Sequence, residues 1–375
     1  MIPISSPGRA VEAQRHDIES SISRVLSSGW LILGPENEAL TIEMSEYLGC
    51  SEVILVGNGT DALEIALLSI GVRPSQLVVT VANAGGYACT AITKIGAVPL
   101  FVDVSSTDLE MATEGEFGLR AVLQAAPTRP AAIVVTHLFG NAAPIEEVIH
   151  LASEFGIPVV EDCAQSFGAE LNGKRLGTFG KVSTTSFYPT KNLGALGDGG
   201  AIFTSDSETA ERAKMLRQYG WSERYHSRLG GGRNSRLDEI QAAILRLRLK
   251  KIDEANERRR SIHRRYVAAS HSGEVISFTH SSSPSFVGHL AICTTDYRNH
   301  LRDFLREKKI ATDIHYPAPD HKQPPWSHYS SGPLPETERQ ISRILTLPLF
   351  PEIAESEVEI IEAALSTFGD GGRNF

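Results

Sequence analysis

The chain has 375 residues, of which 41% are hydrophobic and 22% are charged, and these values are typical of a soluble globular protein with a large core. A net charge of −9 gives no general attraction to nucleic acid or to acidic membranes, so we expect neither as a partner. The N-terminus lacks the pattern of a signal peptide, and no apolar stretch is long enough to span a bilayer. Four scattered cysteines without CxxC spacing predict reduced thiols in a cytoplasmic protein, with no disulfide and no metal site.

The first part of the chain alternates between helical patterns and short apolar runs. A helical pattern over 17–49 is interrupted by a turn at 28–35, and a strand at 51–56 precedes a helix at 61–70. Further strands are predicted at 77–81, 98–103, 131–136 and 157–161, with helices between them at 88–95, 119–124 and 145–155. This alternation predicts an α/β fold with a mostly parallel sheet. Ligands bind outside the carboxyl ends of such strands, where Asp103, His137 and Asp162 are found.

The second part of the chain has a different pattern. One long helix is predicted to begin near Ser235 and to run through 237–266. A strand at 288–293 and helices at 297–309 and 355–367 then indicate a smaller α+β domain. We therefore predict a large domain over residues 1–249 and a small C-terminal domain over 250–375, with the boundary inside the long helix.

The order of chemical groups that leads to Lys191 is the most informative feature of the sequence. The strand at 157–161 ends at Asp162, and the later segment Ser186-Phe-Tyr-Pro-Thr-Lys-Asn-Leu-Gly194 brings a hydroxyl and a lone lysine beside glycines. A pyridoxal phosphate enzyme needs these groups, because lysine forms a Schiff base with the cofactor aldehyde and the carboxylate keeps the pyridine nitrogen protonated. Taken singly, a solvated lysine and a turn-capping carboxylate are the simpler interpretations.

The segment Gly57-Asn-Gly-Thr-Asp61 lies between a predicted strand and a predicted helix. Its small residues allow the backbone to approach an anion, and the N–H groups of the first helical turn can bind a phosphate. Alone, the segment is more typical of a turn with an N-cap threonine; together with the lysine segment it favours a phosphate site. Gln165, shortly after Asp162, is placed to donate a hydrogen bond to the phenolic oxygen of the cofactor.

Three further segments allow two interpretations each. The segment Gly230-Gly-Gly-Arg-Asn-Ser-Arg-Leu-Asp238 fits a flexible capping loop or an arm that reaches a second phosphate or a partner subunit's site. The proline-stiffened loop at 315–324 fits a structural turn or a segment that presents His315 and Tyr316 to a polar substrate, and it lacks a third ligand for a metal. The arginines of residues 245–266 are expected on a solvated helix face, with a diphosphate contact as the alternative.

Together, these segments resemble the DegT/DnrJ/StrS family of nucleotide-sugar aminotransferases over essentially the whole chain. The matching stretches are 28–36, 58–63, 161–165, 186–194, 234–243 and 315–317. The resemblance implies the α/β fold type I of transferases that depend on pyridoxal phosphate. It also implies a homodimer whose active sites lie at the subunit interface.

Carried onto this sequence, the resemblance assigns a role to each motif. It implies that Lys191 holds the cofactor, that Asp162 pairs with its pyridinium nitrogen and that Gln165 meets its phenolic oxygen. The implied phosphate-binding residues are Gly59, Thr60 and Ser186, joined by Asn234 from the partner subunit. The implied substrate-side residues are Arg236, His315 and Tyr316.

One position departs from the family pattern. The family places an aromatic residue over the cofactor ring, but the corresponding position in this chain is Gly85. Either Tyr87 supplies that ring from a shifted turn or it is a core tyrosine. A second position separates two reactions, since dehydratases of the family carry histidine where this chain has Lys191. The lysine therefore favours transamination.

The resemblance implies transfer of an amino group from L-glutamate to a keto group of a nucleotide-linked deoxysugar, with ping-pong kinetics. Segments 219–225, 234–239 and 313–324 are most similar to enzymes that aminate C-3 of dTDP-3-keto-6-deoxyhexoses. Amination at C-4 is the alternative, because both groups of enzymes share most of these residues. A keto-cyclitol aminotransferase and a non-catalytic regulatory protein are further alternatives, and the presence of Lys191 and Asp162 argues against the last.

Overall fold

The computed structural model describes residues 1–270, 275–279 and 283–371, so the last four residues of the polar C-terminal tail lie outside it. The helices are α1 Pro7–Ala13, α2 Arg15–Ser28, α3 Pro35–Leu48, α4 Gly59–Ser69, α5 Tyr87–Lys94, α6 Leu119–Ala125, α7 Ile145–Glu154, α8 Ser207–Leu216, α9 Glu239–Leu249, α10 Ile252–Ala269, α11 Arg298–Glu307, α12 Pro335–Ile341 and α13 Glu355–Gly371. The strands are β1 Glu52–Val56, β2 Leu77–Val81, β3 Val98–Val102, β4 Ala132–Thr136, β5 Val159–Asp162, β6 Glu170–Leu171, β7 Lys174–Arg175, β8 Val182–Ser186, β9 Gly200–Thr204, β10 Trp221–Glu223, β11 His226–Ser227, β12 Ser277–Phe278, β13 Ala291–Thr294 and β14 Ile344–Leu347.

A seven-stranded sheet in the order β1-β9-β8-β5-β4-β2-β3 lies at the centre of the first part of the chain. Its strands are parallel from β8 to β3, and β9 is antiparallel to both of its neighbours. One core cluster joins one face of the sheet to α6 and α7, and a second joins the other face to α4, α5 and α8. Burial on both faces explains the apolar strands, and the predicted mostly parallel sheet is confirmed.

The carboxyl ends of β1, β5 and β8 meet at one edge of this sheet. These strands run in the same direction, since β1 and β8 are both antiparallel to β9 and β5 is parallel to β8. The strands lead into Gly57, Asp162 and the loop after Ser186, respectively. The topology thus brings together three segments that are far apart in the sequence.

The predicted long helix is two helices. α9 begins at Glu239 and ends at Leu249, and α10 begins at Ile252, so the prediction of one continuous helix from Ser235 was wrong. Leu249 and Ile252 pack in the same core cluster with helical spacing, and the apolar pattern therefore continues across the break.

A three-stranded antiparallel sheet in the order β12-β13-β14 lies in the C-terminal part of the chain. Its core cluster includes side chains from α10, α11 and α13, as expected for a smaller α+β unit. The division of the chain into domains at residue 249 stays a prediction. Among the described helices, none combines the length and the apolar composition needed to cross a membrane.

Candidate active site

A cavity of about 570 Å³ lies at the edge where β1, β5 and β8 end. Lys191, in the loop between β8 and β9, lines this cavity. Burial lowers the pKa of its amine to about 8, although the nearby carboxylate of Asp162 acts in the opposite direction. Burial therefore increases the uncharged share of this amine near neutral pH, and the uncharged form is the one that attacks an aldehyde.

The amino end of α4 faces the same cavity through Asn58, Gly59 and Thr60. The N-cap is Asn58 and not the threonine, because the Asn58 Oδ1 accepts the Asp61 N–H at 2.8 Å. A Cβ on Gly59 would lie 2.6 Å from the Cβ of Ser186, so only glycine lets the helix start approach the end of β8 this closely. The helix start and Ser186 form a surface suited to an anion.

Asp162 is 5% exposed at the end of β5 and lines the cavity. Its Oδ1 accepts the Ala164 N–H at 3.0 Å, the one hydrogen bond that its carboxylate receives from the described residues. Burial raises the pKa of Asp162, and the Ala164 N–H and the charge of Lys191 oppose this shift. A buried carboxylate with so few donors is best stabilised by a cationic ligand group, such as a protonated pyridine nitrogen.

Tyr316 fills the space in front of Gly85. A Cβ on Gly85 would lie 2.9 Å from two carbons of the Tyr316 ring, and Gly85 has φ +75°, so this backbone leaves no place for an aromatic residue there. The Tyr316 hydroxyl accepts a hydrogen bond from Gln165 Nε2 at 3.0 Å, while Gln165 Oε1 accepts the Phe139 N–H. Tyr87 packs edge-on against Tyr316, and the interpretation as a core tyrosine is wrong, because Tyr87 is 50% exposed and lines the cavity.

The cavity brings together most of the predicted site residues. Those that line it are Gly59, Thr60, Tyr87, Asp162, Gln165, Ser186, Lys191, His315 and Tyr316. His315 Nδ1 is 2.9 Å from the Thr346 hydroxyl, and burial lowers the pKa of His315, so its ring is neutral near pH 7.

Asn234 and Arg236 do not line the cavity of their own chain. Asn234 is exposed, and Arg236 lies beside the loop after β1, where a Cβ on Gly57 would be 3.8 Å from the Arg236 backbone. A position outside its own cavity agrees with the prediction that Asn234 serves the partner subunit, which stays a prediction.

Asp103 and His137 lie at strand ends but do not line the cavity. The Asp103 carboxylate accepts the backbone N–H groups of Glu336 and Thr337, at 2.9 and 2.8 Å, and so caps the start of α12. His137 Nδ1 accepts the Ala143 N–H, so its proton is on Nε2, which is 3.1 Å from the carboxylate of Glu161. Of the three polar strand ends, Asp162 alone belongs to the cavity.

Arg259 and His289 also line the cavity, and neither was predicted as a site residue. Arg259 is 7% exposed, so the expectation that the arginines of 245–266 lie on a solvated face was wrong for it. A signal for this exists in the sequence, since Ile252, Asn256 and Arg259 recur at helical spacing on the buried side of α10.

A lysine, a buried carboxylate and an anion-binding helix start at the carboxyl edge of a mostly parallel sheet define a transferase of fold type I that uses pyridoxal phosphate. The model of the DegT/DnrJ/EryC1/StrS aminotransferase family matches residues 12–366. The chain belongs to this family, and it is an aminotransferase with pyridoxal phosphate as its cofactor.

Individual relatives agree with this family over nearly the whole chain. The dTDP-3-amino-3,4,6-trideoxy-alpha-D-glucose transaminase of Micromonospora megalomicea is 39% identical, with 94% of this chain and 95% of the relative covered. The erythromycin biosynthesis sensory transduction protein EryC1 of Saccharopolyspora erythraea is 37% identical, with 94% and 95% covered. The crystal structure of a DegT DnrJ EryC1 StrS aminotransferase from Brucella abortus superposes with a TM-score of 0.92 at 33% identity, with 98% of this chain and 100% of the other covered.

Proposed function

We propose that the protein aminates C-3 of a dTDP-linked 3-keto-6-deoxyhexose, with L-glutamate as the amino donor. The observation that carries the proposal is one cavity in which Lys191 and Asp162 lie together beside the anion-binding start of α4. Several relatives named as transaminases of dTDP-linked 3-amino sugars support amination at C-3.

The cavity residues fit the cofactor at both of its ends. When bound, pyridoxal phosphate carries the amino group between the two substrates and accepts electrons into its ring. We assign its phosphate to Gly59, Thr60 and Ser186, because the helix start supplies N–H donors there. Asp162 is assigned to its ring nitrogen, and Gln165 to its phenolic oxygen.

Tyr316 takes the place of the missing aromatic side chain at Gly85. Its ring stands where a side chain at that position would begin, and Tyr87 supports it edge-on. We therefore assign Tyr316 to the face of the cofactor ring, with Tyr87 at the rim of the cavity. The neutral ring of His315 is suited to a sugar hydroxyl, and Arg236 remains a candidate for the substrate side.

Lys191 is proposed to move the proton during transfer. Its Nζ, with a pKa of about 8, both takes up and releases a proton near neutral pH, as a general base and acid must. The charge of Asp162 stabilises the protonated form of this amine.

We propose a homodimer, with Asn234 serving the partner subunit. The segment before α3 exposes Trp30 and Leu31, with 57% and 54% of their surface accessible. This segment lies next to the start of α9, because the Leu31 carbonyl accepts the Glu239 N–H at 3.0 Å. Exposed large apolar side chains of this kind are typical of a subunit interface.

A cytoplasmic location is part of the proposal. The four cysteines are free, and all of them are buried. Unpaired buried thiols are typical of proteins from reducing compartments.

The absorption spectrum of the protein with pyridoxal phosphate, before and after L-glutamate, tests the first half of the reaction. In the wild type, we expect L-glutamate to remove the visible band of the cofactor bound to lysine as a Schiff base, and we expect that band never to form in Lys191→Ala. Assays with dTDP-linked 3-keto and 4-keto deoxyhexoses then test the position. Amination of the 4-keto sugar alone, or turnover of a keto-cyclitol without nucleotide, would reject the proposed substrate.

A regulatory protein without catalysis is the alternative from a different class, and the relative named a sensory transduction protein is the reason to test it. Such a protein has no need of Lys191, Asp162 and a phosphate-binding helix start in one cavity, and this chain has all three. A spectrum that does not respond to L-glutamate or to other amino acids would favour this alternative.

A further inference from the structure

We propose that Arg259 forms the subsite that binds the α-carboxylate of the amino donor. The identity of the ligand as an amino acid rests on the proposed function. The subsite rests on three independent features of the structure: the unpaired N–H groups of Arg259, its fixed position beside Lys191 and the charges that line the cavity.

Arg259 has more hydrogen-bond donors than the protein uses. Its Nη1 donates to the Leu349 carbonyl at 2.9 Å and, more weakly, to the Gly288 carbonyl at 3.4 Å. Its Nε is buried without a partner, and Nη2 has no hydrogen bond to the residues that the structure describes. A guanidinium presents five N–H groups, and because Nε has almost no accessible surface, the N–H groups of Nη2 are the ones left for a ligand.

The position of Arg259 is fixed relative to Lys191. Asn192, the residue after the lysine, donates through Nδ2 to Asn256 Oδ1 at 2.7 Å, and Asn256 lies one turn before Arg259 on α10. The two carbonyls that hold Nη1 fix the other end of the side chain. Arg259 and Lys191 line both the main cavity and an adjoining cavity of about 90 Å³.

Arg259 is the fixed positive charge next to Lys191 in the described part of the cavity wall. Burial lowers the pKa of Arg259 only to about 10, so it is charged at neutral pH. His289 and His315 stand nearby, and burial lowers the pKa of each, which leaves both rings neutral. His289 Nδ1 lies 3.0 Å from Asn192 Oδ1, so its proton is directed away from the ligand space.

A buried cation without a partner is costly, and a carboxylate ligand removes that cost. The described residues include no ion pair with Arg259. Glu352 makes no hydrogen bond with it and raises its pKa only through a longer-range charge interaction. In an amino-acid donor the α-carboxylate is attached to the carbon whose proton Lys191 Nζ is proposed to remove. The carboxylate must therefore lie beside Lys191, where the free N–H groups of Arg259 Nη2 are suited to donate charge-assisted hydrogen bonds to it.

Binding of 2-oxoglutarate to the pyridoxal phosphate form, measured by calorimetry, tests the subsite without turnover, because that form has no amino group to transfer to a keto acid. We expect Arg259→Met to weaken this binding roughly 10- to 100-fold, as for the loss of a charged hydrogen-bond partner, with a smaller loss in Arg259→Lys. The matched control is Arg264→Met on the same helix, whose exposed side chain pairs with Glu257 and whose loss should leave the affinity unchanged. Equal affinities in wild type and Arg259→Met, or no binding to the wild type, would overturn the proposal.

Two further experiments complete the test. The first asks whether Arg259 binds the donor carboxylate or the substrate diphosphate, and the second uses the wild type alone, so it does not depend on how well a variant folds. Binding of dTDP should be unchanged in Arg259→Met, and a loss confined to dTDP would assign Arg259 to the substrate diphosphate instead. The wild type alone should convert its cofactor at least about tenfold more efficiently with L-glutamate than with its α-amide, and equal efficiency would contradict a carboxylate subsite.

The outcomes distinguish this inference from the proposed function. If 2-oxoglutarate binds through Arg259 but L-glutamate does not convert the cofactor, the proposed donor fails and the subsite stands. If L-glutamate converts the cofactor and Arg259→Met is indistinguishable from wild type, the subsite fails and the proposed function stands.

Discussion

Glu161 and Asp162 are consecutive carboxylates on β5, and both are almost fully buried. They differ in the number of hydrogen-bond donors that the protein supplies to each. Glu161 accepts from His137 and from three backbone N–H groups, those of Gly177, Phe179 and Gly180. Burial alone would raise the pKa of Glu161, but these donors lower it, whereas burial with one donor raises the pKa of Asp162. The protein itself supplies the hydrogen-bond donors of Glu161, whereas Asp162 keeps acceptor capacity for the cofactor group that we propose as its partner.

Glu161 also belongs to a group of three side chains whose spacing would suit a metal ion, and their hydrogen bonds indicate a structural role instead. His137, Glu161 and Cys163 place one ligand atom each within 4.8 Å of one another. Both ring nitrogens of His137 and both oxygens of Glu161 are already engaged in hydrogen bonds. These atoms hold the loop after β7 against β5.

The largest effect is expected for Lys191→Ala, which removes the amine that Asp162 faces. Without the amine that we propose to take and release the proton, amination of the keto-sugar should fall by about 10⁴-fold or more. Steady-state turnover with saturating cofactor measures this loss. Lys94→Ala, an exposed lysine at the end of α5, is the control and should keep wild-type activity.

The second largest loss of activity is expected for Asp162→Asn, with a fall of roughly 10²- to 10³-fold, because the ring nitrogen would lose the charged partner that we propose for it. The free energy of unfolding without cofactor should stay the same or increase, since an uncompensated buried charge is removed. Urea unfolding of both apo proteins measures this. A large loss of apo stability would show that Asp162 is as structural as Glu161.

Glu161→Gln should show the reverse pattern. An amide cannot accept from four donors and brings N–H groups against them, so the free energy of unfolding should fall by about 3 kcal/mol or more. The turnover number of the folded, cofactor-loaded fraction should change by less than about threefold, which separates stability from chemistry. A loss of turnover as large as that of Asp162→Asn, at unchanged stability, would contradict the structural role.

The smallest effect is a difference in pH dependence between the two carboxylates in the apo protein. Glu161 has a lowered pKa, so its contribution to stability is present above the pKa of an unfolded glutamate and is lost as pH falls through the folded pKa. Asp162 has a raised pKa, so it destabilises the apo protein increasingly as pH rises from the unfolded toward the folded pKa. Unfolding free energies measured from about pH 3 to about pH 6 should therefore show opposite slopes for wild type minus Glu161→Gln and wild type minus Asp162→Asn. Equal slopes would refute the contrast.

Local patterns in the sequence were sufficient for much of the fold and for the centre of the site. Short apolar strands between helices predict the parallel sheet, because a strand that is buried on both faces consists almost entirely of apolar residues. Asp162 and Lys191 were found because each stands directly after a predicted strand or within a distinctive motif. The helix break at Lys250 and Lys251 could not be predicted from this pattern, because the buried positions continue at helical spacing across it.

The sequence by itself therefore determined the fold class and the family, and it predicted the side chains that we propose for the reaction. The tertiary structure decided which groups meet: Tyr316 stands in front of Gly85, and Arg259 faces the cavity of Lys191. It also decided that Glu161 is satisfied while Asp162 is not. Donors and neighbours for these side chains come from residues far away in the chain, and a contact between distant segments is fixed by packing and not by any local pattern.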